Sequence, residues 1–183
     1  MKRLFLLAPL FAFWIAPLQC ATLERLSLDD MIGQSTAIVR GTVVSSWAAF
    51  SGPVIYTHYK IKVSETLKGT NQASVEVLVP GGVANNLRQT FAGAPEFHAG
   101  DEFVFFLWTG KAGLTQVLGL TQGLFALAEN GTSDPTATRT ASRELMLERG
   151  TARPVKDQTL VMRLSELRQR IGSTLAAGRS VEK

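Results

Sequence analysis

The feature that most constrains the fold is the run Phe103–Trp108, in which six successive side chains are apolar. A strand with one face in water would alternate apolar and polar residues, so a continuous run is typical of a strand buried on both faces or lying centrally in a sheet. The turn sequence Ala99–Asp101 precedes it. We expect Glu102–Trp108 to be the strand around which the other elements gather.

Three further segments have the pattern of long strands. Residues 54–67 alternate most clearly, which predicts a half-buried antiparallel strand. Residues 36–47 are rich in β-branched side chains, and Gly41 in their middle predicts a bulge or bend. The strand at residues 73–79 should end at Pro80, because proline has no N–H to donate to a ladder.

The remaining elements are shorter. Ser27 and the acidic pair Asp29-Asp30 predict the start of a brief helix that ends near Gln34-Ser35. Short strands are predicted at 87–91, 114–118 and 124–127, and one or two helical turns at 141–149. An amphipathic helix that starts between Thr159 and Ser165 closes the chain, with leucine and isoleucine at three- and four-residue steps.

Many short strands with a helix at each end predict a mainly β fold. We interpret it as a small OB-like antiparallel β-barrel with a short N-terminal helix and a C-terminal amphipathic helix. The predicted barrel domain covers residues 22–155, the helix packed on or beside it covers 156–178, and 179–183 form a disordered tail.

The first 21 residues read as a secretory signal peptide. Lys2 and Arg3 precede an apolar stretch too short to span a bilayer, and small residues follow it near Cys20. We therefore expect an exported chain, periplasmic or extracellular, with no transmembrane helix in its mature part. Lipidation at Cys20 is a less favoured alternative, because Pro17-Leu18-Gln19 is a poor match to the usual sequence before a lipidated cysteine.

Removal of the signal peptide limits the partners and the cysteine chemistry that the mature chain can have. Removing Lys2 and Arg3 leaves 17 basic residues against 15 acidic ones, a net charge of +2. Export and this small charge argue against nucleic acid as a partner. Cys20 is the only cysteine, so the mature chain has no disulfide, no thiol nucleophile and no cysteine metal site.

Three motifs carry a resemblance to a known superfamily. They are the segment Ser35–Val43 after the short helix, the Leu-Lys-Gly at 67–69 that ends the long strand, and Phe97–Leu107 with its Gly-Asp-Glu-Phe core. The pattern resembles bacterial secreted proteins with the netrin-like OB barrel, the superfamily of the tissue inhibitors of metalloproteinases. The resemblance covers about residues 26–127 and implies the barrel fold.

The same resemblance implies less about activity. Inhibitors of that superfamily insert an N-terminal Cys-x-Cys segment into a protease and chelate its zinc. Here Cys20-Ala21-Thr22 lacks the second cysteine and the chain lacks the framework disulfides, as in an uncharacterised bacterial branch. A protease inhibitor-like module that uses its mature N-terminus therefore stays an alternative.

The loop between Pro80 and Pro95 is the candidate functional surface. It is long for a hairpin connection, and long loops on rigid scaffolds often carry recognition. The candidate binding residues are Pro80, Gly81, Gly82, Asn85, Asn86, Arg88, Gly93 and Pro95.

No constellation of catalytic residues, cofactor-binding residues or metal ligands is evident. His98 lies near Glu96, Asp101 and Glu102, but neighbours on one turn cannot all converge on a metal. His58 lies on the polar face of the long strand, and no G-x-S-x-G elbow is present. We predict a non-enzymatic binding domain without a cofactor, whose partner is a protein or an extracellular or cell-envelope ligand. A hydrolase or metal-binding protein centred on His98 is a second alternative.

Overall fold

A computed structural model describes residues 21–128 and 133–181, and they form a mainly β fold. The helices are α1 (Leu28–Gln34) and α2 (Leu164–Val181), with a 3-10 turn at Leu120–Gly123. The strands are β1 (Thr22–Glu24), β2 (Ala37–Ser51), β3 (Val54–Lys68), β4 (Ser74–Pro80), β5 (Gly82–Ala84), β6 (Leu87–Gln89), β7 (Glu102–Thr109), β8 (Thr115–Val117), β9 (Leu124–Ala128), β10 (Thr136–Arg139), β11 (Leu145–Leu147), β12 (Pro154–Val155) and β13 (Leu160–Arg163).

Strand β7 is central in the main sheet, as predicted. The strand order is β13-β10-β9-β7-β2-β3-β4, and the end of β7 also pairs with β8. Val104 and Phe106 point into one core and Phe105 and Leu107 into another, all with no exposed surface. The continuous apolar run thus reflects burial on both faces, because alternate side chains enter different cores.

Strands β2 and β3 form a long antiparallel pair that bends. The register shifts after Ile38, Arg40 and Val43. At Gly41 a Cβ would lie 2.7 Å from Ile61 Cγ2 and 2.7 Å from the Lys62 carbonyl oxygen, so only glycine allows the strands this close. The irregularity predicted at Gly41 is confirmed.

The predicted OB-like β-barrel is wrong, because the sheet stays open and does not close into a barrel. Strand β4 curls to within 8 Å of β8 between Cα atoms, but the two are not hydrogen-bonded neighbours. Strand β8 has only three residues, and side chains of Pro95, Val117 and Leu120 line the gap of about 50 Å³ between it and β4. Strands β4 and β8 therefore approach each other through side chains and not through backbone hydrogen bonds.

One face of the sheet is covered by the two helices. Ser27 and Asp30 form a capping box at the start of α1, as the sequence predicts for this end. The side chains packed here are almost fully buried, and they include Met31, Ile32, Phe106, Phe125, Leu164, Leu167 and Ile171. We call these buried apolar residues the helix-side core. Beside it, Arg168 on α2 makes a bidentate ion pair with Glu65 on β3, with its shortest contact at 2.7 Å.

The opposite face of the sheet holds a second cluster, here called the loop-side core. Its centre is Phe97, which is 5% exposed and makes edge contacts with Tyr59, Phe103 and Phe105 at centroid distances of 4.8 to 5.7 Å. Apolar residues of β2, β3, β4 and β7 surround it. The segment that carries Phe97 comes directly after the candidate loop, so this core fixes the end of that loop.

Several boundaries differ from those expected. The final helix begins at Leu164, inside the predicted window, and Leu160–Arg163 before it form a strand paired with β10. The backbone of α2 reaches Val181, so residues 179–181 belong to it rather than to a tail. The helical turns predicted at 141–149 are wrong, because Leu145–Leu147 pair in parallel with β1, a partner more than 120 residues away in sequence.

The predicted signal peptide lies outside the described residues except for Ala21. Within residues 21–128 and 133–181, no helix is long and apolar enough to cross a membrane. The domain boundaries drawn from the sequence stay predictions.

Candidate binding site

The loop from Pro80 to Pro95 is folded, and its first half is a small hairpin. Strands β5 and β6 pair from Gly82 opposite Gln89 to Ala84 opposite Leu87. The two residues at the tip, Asn85 and Asn86, have φ of 50° and 61°. Asparagine tolerates this left-handed region better than most residues, and two such residues in succession make the tight turn that hairpins favour.

Hydrogen bonds fasten this hairpin to the beginning of β3. The Gly81 N–H donates to the Ile55 carbonyl at 2.8 Å, and the Thr57 hydroxyl donates to the Gly81 carbonyl at 2.8 Å. The Gln89 side chain accepts from the Ile55 N–H at 2.6 Å and donates to the Pro53 carbonyl at 3.0 Å. The loop is therefore a fixed part of the surface.

Gly82 allows the close approach. It has φ of +130°, and a Cβ there would lie 2.5 Å from Thr57 Oγ1 and 3.2 Å from the Ala48 Cβ. Both the backbone conformation and the space exclude a larger residue. Gly82 thus packs the hairpin onto β2 and β3.

The second half of the loop returns over the sheet. Gly93, with φ of +76°, packs against Glu144, whose Cγ would lie 2.9 Å from a Cβ at that position. Pro95 and Glu96 follow, and then Phe97 enters the loop-side core. The buried ring anchors the end of the loop.

Between the hairpin and this returning segment lies a cleft of about 190 Å³. Its walls come from β3, β4 and the loop, and they include Thr57, Tyr59, Pro80, Arg88, Phe91 and Pro95. Arg88 and Glu96 are the charged residues of its lining. Pockets that hold drug-sized ligands or cofactors usually measure about 300 to 1,000 Å³, so this cleft is the size of one large side chain.

Tyr59 gives the cleft a neutral polar wall. It is 5% exposed, and its hydroxyl accepts a long hydrogen bond of 3.5 Å from the Phe97 N–H. Burial raises the pKa of Tyr59, and the Phe97 N–H opposes this only in part. The phenol is therefore protonated at neutral pH and has a proton to donate to a ligand.

Three apolar side chains of the ordered loop are exposed. Val83, Leu87 and Phe91 are 50%, 59% and 43% exposed, and Phe91 also lines the cleft. Several exposed large apolar side chains in one loop are typical of interaction sites, whereas isolated ones need no explanation. We call Val83, Leu87 and Phe91 the apolar rim.

The residues proposed from the sequence fall into two groups. Pro80, Gly82, Arg88 and Pro95 line the cleft. The others are Gly81, Asn85, Asn86 and Gly93, which shape the backbone around it.

Sequence reasoning missed Thr57, Tyr59 and Gln89 in the lining. Thr57 and Tyr59 share one face of the long alternating strand, and that alternation was the available signal. No local signal marks Gln89, because its partners lie 34 and 36 residues away.

Neither histidine lies in the cleft lining. His58 stacks on Trp47 with a centroid distance of 5.1 Å and contacts Glu76 at 2.7 Å through Nδ1. The side chain of His98 is 79% exposed and lies 3.7 Å from Asp101, its own turn neighbour. Among residues 21–128 and 133–181, no group of three or more histidine, cysteine, aspartate or glutamate side chains could hold a metal. The hydrolase or metal-binding alternative at His98 stays a prediction.

One more contact joins the start of the described chain to this site. The Ala21 N–H donates to Glu144 Oε2 at 3.1 Å, and Glu144 is the side chain that packs on Gly93. The residue next to the predicted cleavage position therefore lies beside the returning half of the loop.

Comparison with known proteins adds no further constraint: no protein-family model, no curated protein and no solved structure matches this chain.

Proposed function

We propose that this chain is an exported, non-enzymatic binding domain that recognises a protein partner through the Pro80–Pro95 loop. The observation that carries the proposal is the cleft of about 190 Å³, which is lined in part by the exposed Phe91 and belongs to a loop that also exposes Val83 and Leu87. Protein interfaces concentrate their binding energy in a few buried anchor side chains that fill pockets of this kind. One aromatic or large aliphatic side chain of the partner would occupy the cleft.

The chemistry of the cleft supports a mixed apolar and polar anchor. Phe91 and Pro95 offer apolar walls, while the Tyr59 phenol and the Arg88 guanidinium are hydrogen-bond donors. The loop is held by four hydrogen bonds to residues 53–57, so little conformational entropy is lost when it binds.

Export and ancestry belong to the same proposal. The support for export is the signal-like sequence of residues 1–21, and the partner would then lie in the periplasm, the cell envelope or the medium. The support for a relation to the netrin-like superfamily is the set of motifs at Ser35–Val43, 67–69 and Phe97–Leu107, together with strands β2, β3, β4, β7 and β8 curling around the loop-side core.

Site-specific photo-crosslinking tests this proposal. A photoreactive residue replaces Leu87 or Phe91 in the rim, and the matched control carries it at Trp108, which is 46% exposed on β7. We expect one protein from the periplasm or medium to be crosslinked from positions 87 and 91 and not from 108. Shortening the hairpin between Gly82 and Gln89 should abolish the product in a protein with an unchanged unfolding midpoint. Equal crosslinking from all positions, or none from the rim, would overturn the proposal.

A protease inhibitor-like function is a second candidate, favoured by the contact between Ala21 and Glu144 beside Gly93. Under it, the mature N-terminus and the loop would enter the same protease cleft. N-terminal sequencing of the exported protein should then give Cys20 or Ala21 as the first residue. A protein with two extra residues at that end should lose inhibition of a metalloprotease panel. Inhibition that tolerates the extension, or that is absent from both proteins, would exclude this candidate.

A further inference from the structure

The hairpin formed by β2 and β3 extends beyond the central strand β7. Strand β2 pairs with β7 only as far as Thr42, whereas it pairs with β3 as far as Ser51. From residue 44 to its end, β2 therefore has a strand partner on one side only among the described residues. We call residues 44–58 the β2–β3 tip.

The tip exposes apolar side chains and carries no charged residue. Val44, Trp47 and Phe50 are 44%, 46% and 40% exposed. No aspartate, glutamate, lysine or arginine lies between Arg40 and Lys60, although charged residues make up 19% of the chain. Exposed apolar side chains grouped in one region mark a surface that contacts a protein or a membrane.

The exposed rings of the tip lie on both faces of the hairpin. Trp47 is opposite His58 and Phe50 is opposite Ile55, in a register that is regular from Ser45 onward. Because successive side chains point to opposite faces of a strand, positions 47 and 50 lie on different faces. A protein that docks on one face would leave the other ring in water, whereas a bilayer surface surrounds an inserted tip on both sides. This arrangement favours lipid over protein.

The Trp47 ring is held in a fixed position. It stacks on His58 with a centroid distance of 5.1 Å, and His58 Nδ1 contacts Glu76 Oε1 at 2.7 Å. An indole ring is apolar and carries one N–H donor, and tryptophan is accordingly enriched where hydrocarbon meets lipid headgroups. A ring that is already oriented loses little conformational freedom when it is buried.

Two lysines follow the tip on β3. Lys60 and Lys62 are exposed and lie on the same face of the strand as His58. Neither lysine forms an ion pair within residues 21–128 and 133–181. Lysines beside inserted apolar side chains are attracted to anionic headgroups, so their charge complements an anionic bilayer.

We propose that the β2–β3 tip docks on the surface of an anionic lipid bilayer. Its exposed apolar side chains enter the interface, and Lys60 and Lys62 face the headgroup phosphates. The unpaired edge of β2 limits the depth of insertion, because backbone N–H and C=O groups without a partner need water or headgroups. The tip does not include the Pro80–Pro95 loop, and the proposal does not depend on the function proposed for that loop.

Flotation with lipid vesicles tests the proposal. The protein is used from Ala21 onward, which keeps every described strand and helix, because the apolar residues 1–20 would bind lipid by themselves. The probes are vesicles of phosphatidylcholine alone and vesicles of phosphatidylcholine mixed equally with phosphatidylglycerol. We expect the protein to bind the mixed vesicles. Absence of such binding would overturn the proposal and would favour a protein as the occupant of the tip.

Paired substitutions show whether binding uses the tip. Trp47→Ser with Phe50→Ser should weaken binding to the mixed vesicles at least about tenfold, because two apolar side chains no longer leave water on docking. Trp108→Ser with Val161→Ser, at positions that are 46% and 62% exposed elsewhere on the fold, is the matched control and should leave binding unchanged. Equal weakening by the two pairs would contradict docking through the tip.

Tryptophan fluorescence identifies the inserted residue. From Ala21 onward the chain has two tryptophans, so Trp108→Phe leaves Trp47 alone and Trp47→Phe leaves Trp108 alone. With brominated lipid in the mixed vesicles, we expect quenching of Trp47 and not of Trp108. Quenching of Trp108 instead, or of neither residue, would contradict insertion of the tip.

Lysine substitutions test the charge complementarity. Lys60→Gln with Lys62→Gln should weaken binding to the mixed vesicles about tenfold and leave binding to pure phosphatidylcholine unchanged. Lys111→Gln with Lys156→Gln removes the same charge from exposed positions outside the tip and should have little effect. Equal weakening by the two lysine pairs would reduce the effect to net charge and would overturn the proposed orientation on the bilayer.

Discussion

The helix-side core and the surface of the candidate loop use the same kinds of residue in opposite ways. In the helix-side core, phenylalanine, leucine and isoleucine are sealed between the sheet and two helices, as Phe106 and Leu167 are. On the loop, Leu87 and Phe91 remain 59% and 43% exposed. Glycines and side-chain hydrogen bonds to the backbone hold that loop in place, and apolar packing of its own side chains contributes little.

This difference indicates that the helix-side core stabilises the fold and that the loop surface is available for binding. Burial of apolar surface supplies most of the stability of a domain, so a region that leaves such surface in water contributes little to it. A region held by directional hydrogen bonds keeps its shape while its apolar side chains stay available to a partner. We therefore expect substitutions on the two sides to separate stability from binding.

The largest effect should come from paired phenylalanine substitutions. Phe106→Ala removes a fully buried ring that packs 5.5 Å from Phe125, and we expect a loss of about 3 to 5 kcal/mol in the free energy of unfolding. Phe91→Ala, at an exposed ring, should cost under about 1 kcal/mol but abolish crosslinking to the partner. Urea denaturation measures the free energy of unfolding of both variants, and photo-crosslinking measures their binding. Similar losses for the two variants would remove the distinction between the regions.

The buried ion pair next to the helix-side core gives the second effect. Asp157→Ala leaves the Arg139 guanidinium charged and unpaired in a site where it is 3% exposed, and we expect a loss of about 3 kcal/mol in unfolding free energy. Glu96→Ala, at an exposed carboxylate of the loop, is the matched control and should change stability by less than about 0.5 kcal/mol. Chemical denaturation at pH 7 compares them, and a neutral result for Asp157→Ala would contradict the role of this pair.

The lowered pKa of Asp157 predicts that the free energy of unfolding depends on pH. Burial raises the pKa of the Asp157 carboxyl, but bonds from Arg139, the Ser142 N–H and the Gln158 N–H outweigh burial and hold the pKa below its ordinary 3.8. The contribution of this pair is therefore fully present above that ordinary value and is lost as the pH falls through the lower, folded-state pKa. Stability measured down into this acid range should fall for the wild type, and this component of the fall should be absent from Asp157→Ala.

A pair of glycine substitutions gives a smaller effect. Gly82→Ala forces a side chain into φ of +130° and into contact with Thr57, so we expect a loss of about 1 to 3 kcal/mol. Gly33→Ala in α1 meets no atom within 4 Å and should be neutral or stabilise by up to about 1 kcal/mol. Hydrogen exchange should show faster exchange at the Gly81 and Ile55 N–H groups in Gly82→Ala alone. Unchanged exchange there would mean that this glycine does not hold the loop.

The smallest change in stability is expected from the partly exposed ion pair between Arg168 on α2 and Glu65 on β3. Arg168 and Glu65 form a good two-pronged pair, but their side chains are 37% and 31% exposed. Water and salt screen such pairs, so Arg168→Gln should cost about 0.5 to 1 kcal/mol, and less in high salt. Denaturation at low and high salt checks this. A loss as large as that of Phe106→Ala would show that ion pairs, rather than burial, hold α2.

The sequence predicted those parts of the fold that depend on local pattern. The apolar run at 103–108 identified the central strand because residues buried on both faces cannot alternate. Gly41 marked a real bend, and Ser27 with Asp30 marked a real helix start, because both effects act within a few residues. Within the predicted loop, Pro80, Gly82, Arg88 and Pro95 line the cleft, and their role in binding stays a prediction.

Tertiary structure decided what depends on distant partners. Leu145–Leu147 became a strand because β1 lies beside it, and the sheet stayed open because short β8 meets β4 through side chains. Gln89 joined the site through bonds to residues 34 and 36 positions away, which no local pattern encodes. Periodicity reports which face of an element avoids water, whereas pairing, closure and pockets arise from where the folded chain brings those faces together.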